Sequence, residues 1–492
     1  MLPSLRSHEE YLDFVSEKLI NVPIPEAHKD VVDKLKLLNL TPLRLLFIPL
    51  YCLSLGRIGF APEDLFRCFI AMVFCGITSP TEWVLDYLSD KSGFYAIICG
   101  FLPCDTPSVG CLYDFMRRIL SLPKYCREHH LRQKRKRLTK KEKKQLKEDK
   151  EKVTKRHVRI VSKLAKRFAR IAQNNEKIVL PDAEEMVNEI INLCCVSESQ
   201  RRKLLDTENL NVAGDGSKLG THSKRYGKKI CQCSQRNCAC PRFYNDKSAS
   251  IGYDAYHDTF IFGDNFYQLC SFSCQNNYEL PIYLMMATGA RHDAPLGMFA
   301  MHRATQVFGY NVENACFDAA HDATEFYMLG KDDWETNFFI PLNSTNSGNV
   351  KNLPMAYIDA EGIPHCQASY EMYYAGHCKD RDRIKWRCPI KASKKLASLK
   401  CDFIAECSPS QYGRVVYTHP KDNPRLYPAI PRNSHKWQHY YDKRTSVERV
   451  FKREKNDFKL TAFRTRCQER MLFYALLTAM AVHVEAWMRQ DK

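Results

Sequence analysis

Four residues of distinct chemistry stand at fixed spacing late in the sequence: Tyr441, Arg444, Glu448 and Lys455. Read as one helix at about 100° per residue, Arg444, Glu448 and Lys455 fall at about 300°, 340° and 320° from Tyr441, so the four share one edge. Val447, Val450, Phe451 and Phe458 fall at about 180–280°, an apolar face that holds such a helix against a core. Arg offers a bidentate fork, Lys a point charge and Tyr a hydroxyl donor, a set suited to phosphate. An ordinary amphipathic helix with an i,i+4 Arg444–Glu448 pair satisfies the same pattern.

Upstream, two apolar stretches read as strands that end in acids, Asn209–Asp215 and Glu313–Asp318, with Asp322 close behind. Between them Ser250–Tyr256, Thr259–Phe262, Tyr267–Phe272 and Leu280–Met286 alternate at short spacing, the texture of an antiparallel meander. Asn337–Pro341 is a further short strand, and helical texture returns at Asp442–Glu454 and Gln468–Met488. Ahead of the strands, roughly Glu26–Ser121 is helical. Ala61–Ile70, Pro80–Asp86 and Pro107–Phe115 each carry Pro near the helix start, where its missing N–H costs nothing. A mixed sheet closed by helices is an α/β architecture.

Composition bounds the rest. The chain has 492 residues, 45% apolar and 11% aromatic, which excludes a disordered or collagen-like protein. With 74 Lys+Arg against 56 Asp+Glu the net charge is +18, and a polyanionic partner such as nucleic acid is expected. Leu131–Ala172 alone carries 19 basic residues against four acids, +15 of that total. This stretch reads as a phosphate-contacting arm or as a solvated charged helix with an adjoining linker. Lys218, Lys224, Arg225, Lys228 and Lys229 follow Asp215 as a second basic stretch, and Arg464 and Arg466 form a third; each reads equally as an exposed loop.

Residues 1–30 intersperse Glu9, Glu10, Asp13, Glu17 and Lys18, so no leader-like apolar run is expected. The apolar runs Leu45–Gly56 and Met471–Val482 are short of the ~20 residues that span a bilayer, and both read as core helices. The 22 Cys are therefore expected in a soluble, cytoplasmic protein without a membrane, as buried thiols or metal ligands. Cys231, Cys233, Cys238 and Cys240 lie within ten residues, a set that closes a tetrahedral Zn²⁺ site or lines a reduced, solvent-facing loop. A looser group, Cys366, Cys378, Cys388, Cys401 and Cys407 with His365 and His377, carries the same two readings. Cys52, Cys68, Cys75, Cys99 and Cys316 read as buried thiols. Trp386 and Trp437 read as core residues, with stacking on a flipped base as the alternative.

The Tyr-x2-Arg-x3-Glu-x6-Lys spacing, matched in full at Tyr441, Arg444, Glu448 and Lys455, resembles the Y-R-E-K signature of the DDE transposases of bacterial insertion sequences. Gly214-Asp215-Gly216-Ser217 resembles the first catalytic Asp of that family, and Cys316–Asp322 the second. Ala320-His321 stands where the family more often has Gly-Tyr, so Asp318 and Asp322 compete for the second position; Asp318, nearer the strand, is preferred. The resemblance covers about Glu208–Trp487. It implies a ribonuclease-H-like α/β catalytic domain interrupted by an insertion subdomain and preceded by an all-α N-terminal domain. The expected borders are 1–130 (helical, DNA-binding or dimerising), 131–205 (basic arm), 206–345 (first catalytic part), 346–435 (insertion) and 436–492 (catalytic and C-terminal helices).

The same resemblance implies Asp215, Asp318 and Glu448 as ligands of Mg²⁺ or Mn²⁺, and Tyr441, Arg444 and Lys455 as binders of phosphates near the cleaved end. Lys218, Lys224, Arg225 and Arg464 would line the DNA channel. The implied activity is metal-dependent cleavage and strand transfer at terminal inverted repeats, on double-stranded DNA, by a synaptic homodimer in the cytoplasm at the nucleoid. A DNA-binding descendant that no longer cuts, a zinc-dependent regulator and a nuclease without strand transfer are the rival readings.

Overall fold

The structure is a computed structural model and describes residues 2–51, 58–122, 131–132, 139–142, 144–145, 156–235, 238–246, 248–254, 257–273, 278–343, 347–392 and 400–491. Much of the basic stretch Leu131–Ala172, together with Cys52 and Tyr256, lies outside the described residues.

The N-terminal segment is built from helices, of which α1 (Pro62–Phe74) is buried along nearly its whole length. Ser79 and Ser108 cap the helices that follow, each accepting a backbone N–H three residues on at 3.3 Å. Pro107 therefore precedes the cap instead of opening the helix. The Leu45–Gly56 run does not form one core helix: Arg44–Phe47 and Ile48–Leu50 are short helical turns, and Leu45 is exposed. Pro49 explains the break, since it cannot donate to the preceding turn.

The second half of the basic stretch is the helix α2 (Arg156–Asn174). Its apolar positions Val161, Leu164 and Phe168 are buried, and Phe168 stacks on His302 at 3.8 Å. This part of the arm is docked on the fold. Leu131–Arg132 pairs with Arg242–Phe243, which also pairs with Lys228–Lys229, making a small three-stranded sheet. Next comes α3 (Asp182–Ile191).

The main sheet contains β1 (Leu210–Gly220), β2 (Ser250–Asp254), β3 (Thr259–Phe272), β4 (Glu279–Thr288), β5 (Val312–Cys316) and β6 (Asn337–Phe339). Its order is β2-β3-β1-β5-β6, with β4 along the other edge of β3. Strands β2, β3 and β4 form the antiparallel meander, while β1, β5 and β6 run parallel. This mixed sheet with its covering helices is compatible with a ribonuclease-H-like α/β fold.

Two expectations are corrected here. Thr259–Phe262 and Tyr267–Phe272 are one strand of 14 residues. Gly263 lies so close to β1 that a Cβ would meet the Leu219 carbonyl oxygen at 1.9 Å. The turn-forming residues Asp264 and Asn265 are kept extended by bonds from Gln468 Nε2 (2.8 Å) and to Asp293 Oδ1 (2.7 Å). Strand β1 also does not end at Asp215 but continues to Gly220; what ends is its parallel pairing with β5, at Ala213–Cys316.

Helices cover both faces. Phe266 of β3 packs against Phe451 of α5 (Thr445–Lys452), while its neighbour Tyr267 points the other way, to His321. Helix α4 (Asp293–Gln306) lies on that second face. The free edge of β4 is closed by α3: Asn188 donates to the Leu284 carbonyl and accepts its N–H, both at 2.8 Å. Helix α6 (Gln468–Gln490) is longer than the Met471–Val482 run. By length and apolarity it passes as a membrane span, yet 89% of its apolar window is buried inside the protein. Its Phe473 packs edge-on against Phe66 and Phe69 of α1. A second, separate core of seven buried residues, from Ala356 to Val416, belongs to three-stranded sheets between β6 and α5.

One buried acid stands out. Glu454, in the wider turn Arg453–Asp457 after α5, accepts from Gln268 Nε2 at 3.0 Å. Burial pushes its carboxyl up to about 8, against the pull of Gln268, Lys455 and Arg453. Because the folded-state value lies above the ordinary one, the stability it confers is complete below about pH 4.5 and is lost as pH rises through about 8. Glu454→Gln is expected to flatten that decline and raise stability near pH 9 by roughly 1–3 kcal/mol, read as Tm against pH.

Candidate active site

Alternation along β1 sets the geometry. Asp215 and Ser217 face α5, while Gly216 faces α4, where a Cβ would meet Asp293 Oδ1 at 2.1 Å. Only glycine lets that aspartate approach. Asp293 opens α4, accepts from Asn265 Nδ2 at 2.7 Å and lies 3.9 Å from Lys218 Nζ.

Asp318 follows β5 by two residues. Its Oδ1 caps a short turn by accepting the Ala320 N–H (3.1 Å) and also receives His321 Nδ1 (2.6 Å). His321 is buried, stacks on Phe317, and places Nε2 2.9 Å from the Tyr267 hydroxyl. Asp322 is different. It is buried, pairs with Arg425 at 2.7 Å and accepts the Asn343 N–H at 2.9 Å. Asp318 faces Asp215; Asp322 ties the segment that carries Arg425 to the end of the sheet.

The two aspartates differ in electrostatics. Burial, then the charges of Asp318 and Asp293, push Asp215 up to about 7. Burial also raises Asp318, but the hydrogen bond and charge of His321, with the charge of Arg444, outweigh it and hold that carboxyl low. Burial lowers His321, and the Asp318 bond more than reverses this.

The helix that carries the Tyr, Arg, Glu and Lys is not uniform. His435–Tyr441 is α-helical, Asp442–Arg444 is a tighter turn, and Arg453–Asp457 is a wider one. The angles of an even helix therefore do not hold at its two ends, though contacts to β1 remain. Arg444 Nη1 lies 2.7 Å from Glu448 Oε1 and 4.0 Å from Asp215 Oδ2. Lys455 Nζ donates to Ser217 Oγ at 2.6 Å and to the Lys218 carbonyl at 3.3 Å. Burial lowers the pKa of the Lys455 amine and of the Lys218 amine. Tyr441 stacks on Trp437 at 4.5 Å, and burial raises its hydroxyl.

A divalent cation suits this donor set. Asp215 is a half-buried carboxyl crowded by two others, and the nearest guanidinium stands 4.0 Å away. A hard cation with oxygen ligands relieves that crowding. The side chain of Glu448 is 48% exposed and is held by Arg444. Among the described residues, the one group of three or more ligands gathered tightly enough for an ion is Cys231, Cys233, Cys238 and Cys240, whose sulfurs lie within 4.8 Å of one another.

Those cysteines occupy the turn between Lys228–Lys229 and Arg242–Phe243. Cys231 Sγ lies 3.3 Å from that of Cys233 and 3.4 Å from that of Cys238. Hydrogen bonding from Cys233 holds Cys238 low, at about 6, and Arg242 Nη2 lies 3.3 Å from its sulfur. Lys224, Arg225, Lys228 and Lys229 are exposed on the same connection, and Arg464 and Arg466 are exposed after the α5 turn. Trp386 and Trp437 are buried, and Trp386 Nε1 bonds Thr418 at 2.9 Å, so both are packing residues.

Asp293, Asn265 and Tyr267 had no signal in the sequence as site residues. His292-Asp293-Ala-Pro reads only as a helix start, and the packing of α4 against β1 is what delivers it.

A family model described as a transposase DDE domain matches residues 358–483, which include Tyr441–Lys455 but neither Asp215 nor Asp318. No curated protein matches the chain. The match supports a DDE transposase, an enzyme of nucleotidyl-transferase type that acts on DNA, in a family that generally uses Mg²⁺ or Mn²⁺.

Asp318 and Asp322 separate experimentally. Asp322→Ala removes the buried Asp322–Arg425 ion pair and is expected to cost about 3–5 kcal/mol in denaturant unfolding. Asp318→Asn is expected to change unfolding by less than about 1 kcal/mol while removing activity.

Proposed function

We propose that this protein is an insertion-sequence transposase. It binds the terminal inverted repeats of its element, cuts the DNA, and joins the freed 3′-OH ends to target DNA. The observation that carries the reading is Arg444, set between Glu448 and Asp215 at the sheet edge where Asp318 also stands.

In this reading Asp215, Asp318 and Glu448 hold Mg²⁺ or Mn²⁺, which supplies activation of the attacking oxygen and stabilisation of the leaving one. His321 fixes the rotamer of Asp318 and keeps it ionised. Arg444 releases Glu448 and turns its fork to a DNA phosphate, while Lys455 and Tyr441 steady the same backbone. Asp293 is a further acid within reach of this cluster.

DNA is held by exposed basic residues outside the carboxylate cluster. Lys224, Arg225, Lys228 and Lys229 sit on the connection closed by the four cysteines, for which a structural Zn²⁺ is the fitting occupant. The arm enters the same small sheet at Leu131–Arg132. Two element ends must be processed together, so the working unit is a homodimer, in the cytoplasm on nucleoid DNA.

The test incubates the protein with Mg²⁺ and a supercoiled plasmid carrying the candidate ends. Asp215→Ala and Glu448→Ala are each expected to reduce cleavage and joining by at least about 100-fold, with folding unchanged by circular dichroism. Full activity in Glu448→Ala would overturn the assignment. Cleavage without joining would leave a nuclease, and binding without cleavage a DNA-binding descendant.

A further inference from the structure

The inserted segment brings together four cysteines that the carboxylate cluster does not use. Cys366, Cys388, Cys401 and Cys407 all line one cavity of about 30 Å³. That volume fits an atom-sized guest, since one water takes roughly 10–15 Å³ on this measure. Backbone N–H bonds hold three of them. Cys366 N–H donates to the Tyr370 carbonyl (3.0 Å), Cys388 N–H to Arg414 (2.8 Å), and Cys407 N–H to Phe403 (2.8 Å). Gly413 packs against Cys388, where a Cβ would meet the Cys388 Cβ at 2.6 Å. Their sulfurs are not gathered as tightly as those of the Cys231 group, so binding an ion requires them to draw inward. The thiols already act on one another, since burial first, and then Cys388, Cys366 and Cys401, push Cys407 up against the pull of Arg414.

The neighbouring ligand types are occupied elsewhere. His365 Nε2 is 2.8 Å from Asp359 and His377 Nε2 is 3.2 Å from Asp382, and Cys378 does not line the cavity. The loose cysteine–histidine group of the sequence therefore reduces to four sulfurs.

We propose that Cys366, Cys388, Cys401 and Cys407 form a structural tetrathiolate zinc site inside the inserted segment. Four soft ligands and no open position suit Zn²⁺ bound for folding. Binding Zn²⁺ displaces four thiol protons to solvent and leaves a net charge of −2, which Arg414 and Lys391, both lining the cavity, offset. The need is physical: among the described residues the core here has seven buried residues, a small core for ordering these loops. No disulfide joins these four cysteines.

The test uses the full chain, purified without chelator, in a Cys231→Ser/Cys238→Ser background that removes the other cluster. Metal analysis is expected to find one zinc per chain, falling to below about a tenth in Cys388→Ser/Cys407→Ser. Because those variants may lose folding, native unsubstituted protein is also alkylated with iodoacetamide and mapped by mass spectrometry. The four cysteines are expected to be protected, and to become reactive once zinc is withdrawn by a chelator. Alkylation without chelator would overturn the site. So would protection lifted by reductant alone, the mark of a disulfide, or a zinc content that Cys388→Ser/Cys407→Ser leaves unchanged.

Discussion

Crowding several half-buried carboxylates beside one sheet is the constraint on which the rest of the site depends. Asp215, Asp318 and Asp293 are half-buried, and the charges of Asp318 and Asp293 both press on Asp215. Each is answered differently. Asp318 has His321 beneath it, Asp293 has Asn265 and Lys218, and Asp215 has the Gly216 N–H at 2.7 Å and a guanidinium 4.0 Å away. The uneven compensation localises the electrostatic deficit on Asp215. A cation of fixed charge removes that deficit in a way no nearby side chain does.

The frame that sustains this crowding is a strand alternation plus three kinds of helical turn. Asp215 faces α5 and Gly216 faces α4, so both helices converge on adjacent residues of β1 from opposite faces. The tight turn Asp442–Arg444 and the wide turn Arg453–Asp457 adjust where Arg444 and Lys455 emerge. Departures from even α-helix of this kind cost backbone hydrogen bonding and occur often at working sites. The apolar face of Val447, Val450 and Phe451 keeps the element seated regardless.

Patterning made the order and type of the elements legible: helices first, then an antiparallel meander, parallel strands, and an amphipathic helix with Arg444 and Glu448 on one edge. Local signals failed where distant partners decide. Asp264 and Asn265 look like turn residues until Gln468 and Asp293 reach them. Asp322 looks like a second strand-end acid until Arg425, 103 residues later, is seen to claim it. Asp293 was invisible because its importance lies in the absence of a side chain at Gly216. Most strand positions and the Arg444–Glu448 pair follow from periodicity, whereas the merging of two segments into β3 and the acidic cluster follow from packing.

The contact between α1 and α6 bears on how the chain reaches this state. Phe66 and Phe69 complete their core only when Phe473, some four hundred residues onward, arrives. Closing so long a span makes assembly slow relative to local helix formation, because the loop entropy is lost before the contact forms. The segment between β6 and α5 keeps its own small core apart from this one. During synthesis the N-terminal helices therefore wait with apolar faces exposed. The assembled core becomes available only after α6 emerges to meet α1.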